Sequence, residues 1–198
     1  MLEDLKSQLS AAFDTFSKLR QAAASVKIAA RTDSLKSSAS YHVYRVKGDG
    51  NCLFRAIAQG EAMLRQGADE PTLSEEEEGE RGLAIRTACV AMMRERRSEL
   101  EQLIQEDEIS GGWDHYLNQM SRLGTWGGEP ELSVLPSVIN MPIHVVQDTS
   151  IDDLADPKKR LVIKYEPDAS SSSSSSSPPV RILFNGRDHY DLIYRKET

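Results

Sequence analysis

The spacing of apolar residues divides the chain into regions of different period. Leu2, Leu5, Leu9, Ala12, Phe16, Leu19 and Ala23 recur at intervals of three and four, which predicts an amphipathic helix over residues 2–23 with a coiled-coil-like stripe. Such a stripe serves packing on the helix's own domain, or docking to a partner or a second copy. The Ala/Ser-rich segment that follows reads as a linker, so residues 1–39 form an N-terminal helix and linker and 40–198 a separate domain. "YHVYRV" at 41–46 alternates and is rich in aromatic and β-branched residues, a strand pattern. A helix from about Cys52 to Arg65 follows.

Residues 67–80 (GADEPTLSEEEEGE) are acidic and carry Pro and Gly, which predicts a solvated loop with a subsidiary reading as an acidic surface for a basic ligand. Residues 81–106 predict a long helix with Ile85, Cys89 and Met92 on one face. "WDHYLNQMSRLG" predicts a short helix ending at Gly124, and another starts near Pro130, a favourable first-turn position. Pro136 should kink or end it. The runs at 143–147, 161–165, 180–184 and 189–195 are strand-like. The tract from Ser170 to Ser177 lies between two of them and cannot build a core, so it reads as a mobile loop. Helices in the middle and strands at the end define an α+β domain.

Composition narrows the function. A chain of 198 residues with 39% apolar and 28% charged residues is an ordinary globular protein. Its net charge of −7 argues against nucleic acid and anionic membranes as partners. No apolar stretch approaches the roughly 20 residues that span a bilayer. Two cysteines build neither a disulfide framework nor a structural zinc site, which favours a reducing compartment, cytoplasmic or nuclear. Residues 1–19 carry acids and lack an unbroken apolar core, against a signal peptide, while the Ala/Ser-rich segment 20–40 leaves organelle targeting open.

The chemistry centres on "GDGNCLFRAI", residues 48–57. Cys52 follows a glycine-rich turn and opens a helix, where unpaired amides and the positive end of the macrodipole favour the thiolate over a thiol of ordinary pKa near ~8.5. Amides of such a turn also converge on one point, as an oxyanion hole requires. A lone cysteine in an apolar run serves equally well as buried filler, and Cys89, on an apolar helix face without a polar turn before it, reads that way. A nucleophile needs a base. His42, His115 and His144 sit in ordinary strand or helix patterns. In "GRDHYD", His189 and Asp191 stand two apart on a predicted strand and share a face, so the carboxylate can hold the imidazole in one tautomer. The alternative for that pair is an exposed polar edge. A nucleophile at an early helix N-terminus with a late His and carboxylate is the papain-like order.

Taken in order, "DGNCLFRA" at 49–56, "WGGEPEL" at 126–132 and "HYDLIY" at 189–194 resemble the ovarian tumour (OTU) cysteine proteases over about residues 40–195. The resemblance implies a papain-like α+β fold, a small central β-sheet flanked by helices, working without metal or cofactor. It implies a deubiquitinase, a thiol-dependent hydrolase that cuts after the C-terminal glycine of ubiquitin, polyubiquitin or a ubiquitin-like modifier. By position Cys52 is the nucleophile, His189 the general base and Asp191 the orienting acid. Backbone amides of Asp49, Gly50 and Cys52 form the oxyanion hole, and Trp126 has a packing role. The serine tract falls where members vary in length and often touch ubiquitin, and Pro136 stands where they continue a helix. Two other readings stand beside this one: a catalytically silent ubiquitin-binding module of the same fold, and a redox-sensing adaptor with an oxidisable Cys52.

Overall fold

The computed structural model describes residues 41–101, 111–147, 161–168 and 177–196. The expected N-terminal helix and linker, and the serine tract through Ser176, lie outside them. In chain order the elements are β1 (Tyr41–Tyr44), α1 (Cys52–Gln66), α2 (Glu75–Glu95), α3 (Arg97–Leu100), α4 (Trp113–Met120), α5 (Glu129–Ile139), β2 (Ile143–Gln147), β3 (Leu161–Tyr165), β4 (Val180–Phe184) and β5 (Tyr190–Arg195). The strands form one mixed sheet in the order β1-β5-β4-β2-β3. Only the β2–β4 pair is parallel, with Val145 opposite Ile182; the β1–β5, β4–β5 and β2–β3 pairs are antiparallel.

The alternation of β-branched residues divides the sheet into two faces. Ile182, Phe184, Tyr190 and Leu192 join the main core beneath the helices, and Val146, Leu183 and Ile193 form a smaller cluster with Val43. Helix α1 lies on β4 and β5, α5 lies on β2 and β3, and α2 packs on both helices. Nearly every residue of α1 from Cys52 to Met63 is buried. Its close approach to the sheet depends on Gly60, where a Cβ would stand 2.7 Å from Val180 Cγ1 and 2.8 Å from Leu192 Cδ1. The helix ends at Gly67 in the left-handed region, with Gly67 N–H donating to the Leu64 carbonyl and Ala68 N–H to that of Met63.

The acidic run behaves differently from its expected loop. Helix α2 begins at Glu75, six residues before the predicted start at 81, because Ser74 and Glu77 form a capping box. Ser74 Oγ accepts from Glu77 N–H at 3.3 Å and Glu77 Oε2 accepts from Ser74 N–H at 2.9 Å. The four glutamates of the first turn then face the positive end of the helix, where negative charge is stabilising. A capping interaction of this kind contributes about 1 kcal/mol. The segment before it is tied to α1 by the buried Gln59. Gln59 Oε1 accepts from Thr72 and Leu73 N–H at 3.0 and 2.9 Å, and Nε2 donates to the Leu73 carbonyl at 3.0 Å and to Glu78 Oε2 at 3.2 Å.

Other boundaries also moved, among them the end of β1, at Tyr44 where 46 was expected. α2 ends at Glu95 and the short α3 follows, whereas one helix was expected through 106; residues 102–110 lie outside the described set. α4 stops at Met120, before the expected Gly124. Pro136 does not end α5, which runs on to Ile139. The proline stands in the last turn, where it forfeits a single helical bond, while Leu132, Leu135 and Ile139 beside it are buried. Its own carbonyl accepts from Met141 N–H at 3.2 Å. At the start of α5, Glu131 Oε2 accepts from Gly128 N–H at 2.7 Å, the half of a capping box that a glycine cap permits.

Candidate active site

Cys52 is the first residue of α1 and is only 4% exposed. The turn before it is held from several sides. Asp49 Oδ1 accepts from Asn51 N–H at 3.0 Å, and Asp49 Oδ2 accepts from Arg55 Nη2 at 2.9 Å and Nε at 3.2 Å. Arg55, one turn into α1, also donates to Glu78 Oε1 at 3.3 Å and so ties the turn to α2. Burial pushes the Asp49 carboxyl up, but the bonds from Arg55 and Asn51 outweigh it and hold the group below its ordinary value. Gly50 adopts φ 80°, and a Cβ there would lie 2.2 Å from the Gly124 carbonyl oxygen. No other residue type fits this crossing of two backbones. Asn51 N–H is thus engaged by Asp49, whereas among the described residues the N–H groups of Asp49 and Gly50 have no acceptor.

His189 precedes the first residue of β5 instead of lying within the strand. Its backbone is set by Asn185, whose Oδ1 accepts from Arg187, Asp188 and His189 N–H at 2.9, 2.9 and 3.0 Å, while Asn185 N–H donates to the His189 carbonyl at 3.0 Å. Asn185 was not among the residues singled out in the sequence, although Asn-Gly between two strand-like runs is a turn signal. The imidazole Nε2 stands 3.0 Å from Asp191 Oδ1. Asp191 is buried on β5; Oδ1 also accepts from Val46 N–H at 3.1 Å, and Oδ2 accepts from Arg45 Nη1 at 2.5 Å. Arg45, also absent from the predicted set, sits at the sheet-side end of the loop that leads to Cys52. With Nε2 on Asp191, the ring presents its other edge to the turn: a Cβ on Gly48 would stand 3.8 Å from His189 Nδ1 and Cε1.

The sulfur completes the corner. Backbone N–H of Tyr190, the residue after His189, reaches Cys52, and the Leu53 and Cys52 amides do so as well. These amides favour the thiolate, as the helix terminus predicted, but burial is the larger effect and it pushes the Cys52 thiol above its ordinary value. That direction is opposite to the lowering that the helix terminus alone predicts. Because only the thiolate alkylates, the rate of iodoacetamide modification at Cys52 is expected to rise with a midpoint above the ordinary thiol value of ~8.5. Peptide mapping across a pH series checks this; a midpoint below that value would mean a preformed thiolate–imidazolium pair.

The other cysteine and the other histidines have contacts elsewhere. Cys89 is fully buried, and burial pushes its thiol well above the ordinary value. His42 lies against the Tyr194 ring at 5.6 Å, His115 Nε2 is 3.4 Å from Gln119 and His144 Nε2 is 3.9 Å from Glu166. Trp126 is half-buried. Among the described residues no three His, Cys, Asp or Glu side chains are grouped to hold a metal ion.

Comparison with known proteins places this geometry. The family model of the OTU-like cysteine proteases matches residues 47–190. OVARIAN TUMOR DOMAIN-containing deubiquitinating enzyme 4 of Arabidopsis thaliana is 31% identical over 159 residues, which are 80% of this chain and 44% of the relative. Deubiquitinating enzyme 3 of the same plant series is 28% identical over 169 residues, 82% of this chain and 72% of the relative. The chain thus spans less than half the length of the first of these relatives. A solved structure of an ovarian tumor domain in complex with ubiquitin superposes with a TM-score of 0.52 at 20% identity, covering 83% of this chain and 76% of that one. At that identity the likeness concerns the fold.

Proposed function

The chain belongs to the OTU-like cysteine protease family, and from that premise we propose that it is a deubiquitinase that hydrolyses the bond after the C-terminal glycine of ubiquitin through Cys52. The observation that carries the proposal is that the two ends of the chain come together at the mouth of α1. His189 Nε2 bonds to Asp191 at 3.0 Å, and the Tyr190 amide beside that histidine reaches the Cys52 sulfur at the mouth of α1. The relatives named as deubiquitinating enzymes and the ubiquitin-bound ovarian tumor domain support ubiquitin as the modifier.

Burial favours the protonated form of Cys52, so in the proposed cycle its proton passes to His189 Nδ1 as the sulfur attacks the glycine carbonyl carbon. Asp191, on Nε2, holds the tautomer that leaves Nδ1 free to accept and stabilises the imidazolium that forms. The carbonyl oxygen takes up negative charge, and its stabilisation falls in this reading to the amides of Asp49, Gly50 and Cys52, of which those of Asp49 and Gly50 have no acceptor among the described residues. A donor of this kind is worth roughly 3–4 kcal/mol in the transition state. His189 returns the proton to the leaving lysine amine as the carbon–nitrogen bond breaks. Water then attacks the thioester, His189 takes its proton, and the thiol is restored with release of the ubiquitin carboxylate.

A panel of ubiquitin and ubiquitin-like modifiers carrying a C-terminal electrophile tests this reading. The full chain is expected to couple covalently to the ubiquitin member at Cys52 and not at Cys89. Affinity for ubiquitin without coupling would replace the enzyme with a silent binding module, and neither affinity nor coupling would end the ubiquitin assignment.

A further inference from the structure

The residue that holds the Cys52 turn from below is not adjacent to it in sequence. Arg86, in the middle of α2, is 1% exposed. Among the described residues no carboxylate forms an ion pair with it; carbonyl oxygens take its charge instead. Nη1 donates to the Met120 carbonyl at 2.9 Å and lies 3.3 Å from Met120 Sδ. Nη2 donates to the Thr125 carbonyl at 2.7 Å, to Asn51 Oδ1 at 3.0 Å and to the Gly50 carbonyl at 3.2 Å. The guanidinium carbon stands 4.1 Å above the Phe54 ring of α1. Asn51 Oδ1 accepts a second bond, from Gly124 N–H at 3.0 Å. One guanidinium therefore joins the turn at 50–51 to the loop at 120–125, at the point where Gly50 and Gly124 cross.

This placement fixes a peptide plane. The Gly50 carbonyl and the Asn51 N–H belong to one peptide unit; the first points at Arg86 and the second at Asp49. A glycine at φ 80° has alternatives open to it, and rotation of this unit would turn a carbonyl oxygen toward the cleft. Resting on the site proposed above, we propose that Arg86 is a positioning residue for acyl transfer: by holding the Gly50 carbonyl inward it keeps the neighbouring Gly50 and Cys52 amides aimed at the oxyanion. A buried cation is costly to maintain without a carboxylate. Here its fork spans both loops, a reach that the single nitrogen of a lysine lacks.

Arg86→Lys and Arg86→Gln in the full chain test this. Hydrolysis of a fluorogenic amide at the ubiquitin C-terminus is expected to lose about 100-fold in kcat, the scale of a lost oxyanion donor, with KM within about 3-fold. Iodoacetamide modification of Cys52, which builds no oxyanion, should change by no more than about 3-fold. Amide hydrogen exchange at Asn51 and Gly124 should accelerate by about 10-fold or more while Ile57 in α1 stays protected. The proposal falls if a folded variant keeps its kcat, if KM and alkylation move in step with kcat, or if Asn51 exchange is unchanged. Should the Arg86 variants not fold, exchange in the wild-type chain decides: the Asn51 amide is expected to be protected to within about 10-fold of Ile57, and exchange at the rate of an open loop overturns the clamp. A wild-type chain that hydrolyses no ubiquitin amide refutes the enzyme assignment, whereas exchange at Asn51 still decides what Arg86 does.

Discussion

Cys52→Ala is expected to lower hydrolysis of the ubiquitin amide by about 10⁴-fold or more, because no other group on the site can form the acyl intermediate. Ubiquitin affinity, read by calorimetry, should stay within about 3-fold, since Cys52 is 4% exposed and offers little surface to a folded partner. The protein should unfold within about 1 kcal/mol of wild type in urea, for the change removes one sulfur and keeps the Cβ. Cys89→Ala is the matched control. It removes the same atom from a fully buried place on α2 and should leave turnover intact. Retained hydrolysis in Cys52→Ala would sink the nucleophile assignment whatever the rest of the geometry says.

Gly50→Ala carries the second large effect, and it reaches both stability and rate. An alanine at φ 80° is strained by about 1 kcal/mol before any contact is counted. The added Cβ would then meet the Gly124 carbonyl at 2.2 Å, a backbone atom that no side-chain rotation can clear. Relief requires the turn and the 120–125 loop to separate, against the bonds that Arg86 and Asn51 make across them. A loss of about 2–4 kcal/mol in urea unfolding is expected, with kcat falling about 100-fold or more in the protein that remains folded. Gly67→Ala provides the contrast: φ is 62° but nothing lies within 4 Å, so a loss of about 1 kcal/mol and unchanged kcat are expected. Equal effects from the two substitutions would show that the crossing at Gly124 does not matter.

The elements were legible wherever a local pattern decides them. The strands at 143–147, 161–165 and 180–184 came out at their predicted limits because alternating β-branched residues leave few other packings. The start of α2 was legible too, in the Ser74-x-x-Glu77 box, but the density of acids around it pointed to solvent. Those acids are compatible with a helix because they occupy its first turn. Pro136 shows the opposite case: it was expected to kink or end α5, but the helix runs on to Ile139 because the proline stands in its last turn among buried neighbours.

Cys52, His189 and Asp191 stand out in the sequence as candidates because the proposed chemistry needs particular residue types in local settings, a thiol after a glycine turn and an acid two places from an imidazole. The same holds for Cys89 as filler. Gln59, Arg45, Asn185 and Arg86 could not be found in that way. Each is an ordinary polar residue until the fold gives it partners, and for Arg86 those partners come from positions 50, 51, 120 and 125. The protonation state of Cys52 belongs with them. A helix terminus acts over one turn and is visible locally, whereas burial sums over neighbours from α1, β5 and the preceding turn, which adjoin only after folding. Periodicity and residue type thus determined the elements and the candidate groups; desolvation and long-range hydrogen bonds, which exist only in three dimensions, decided how those groups are held.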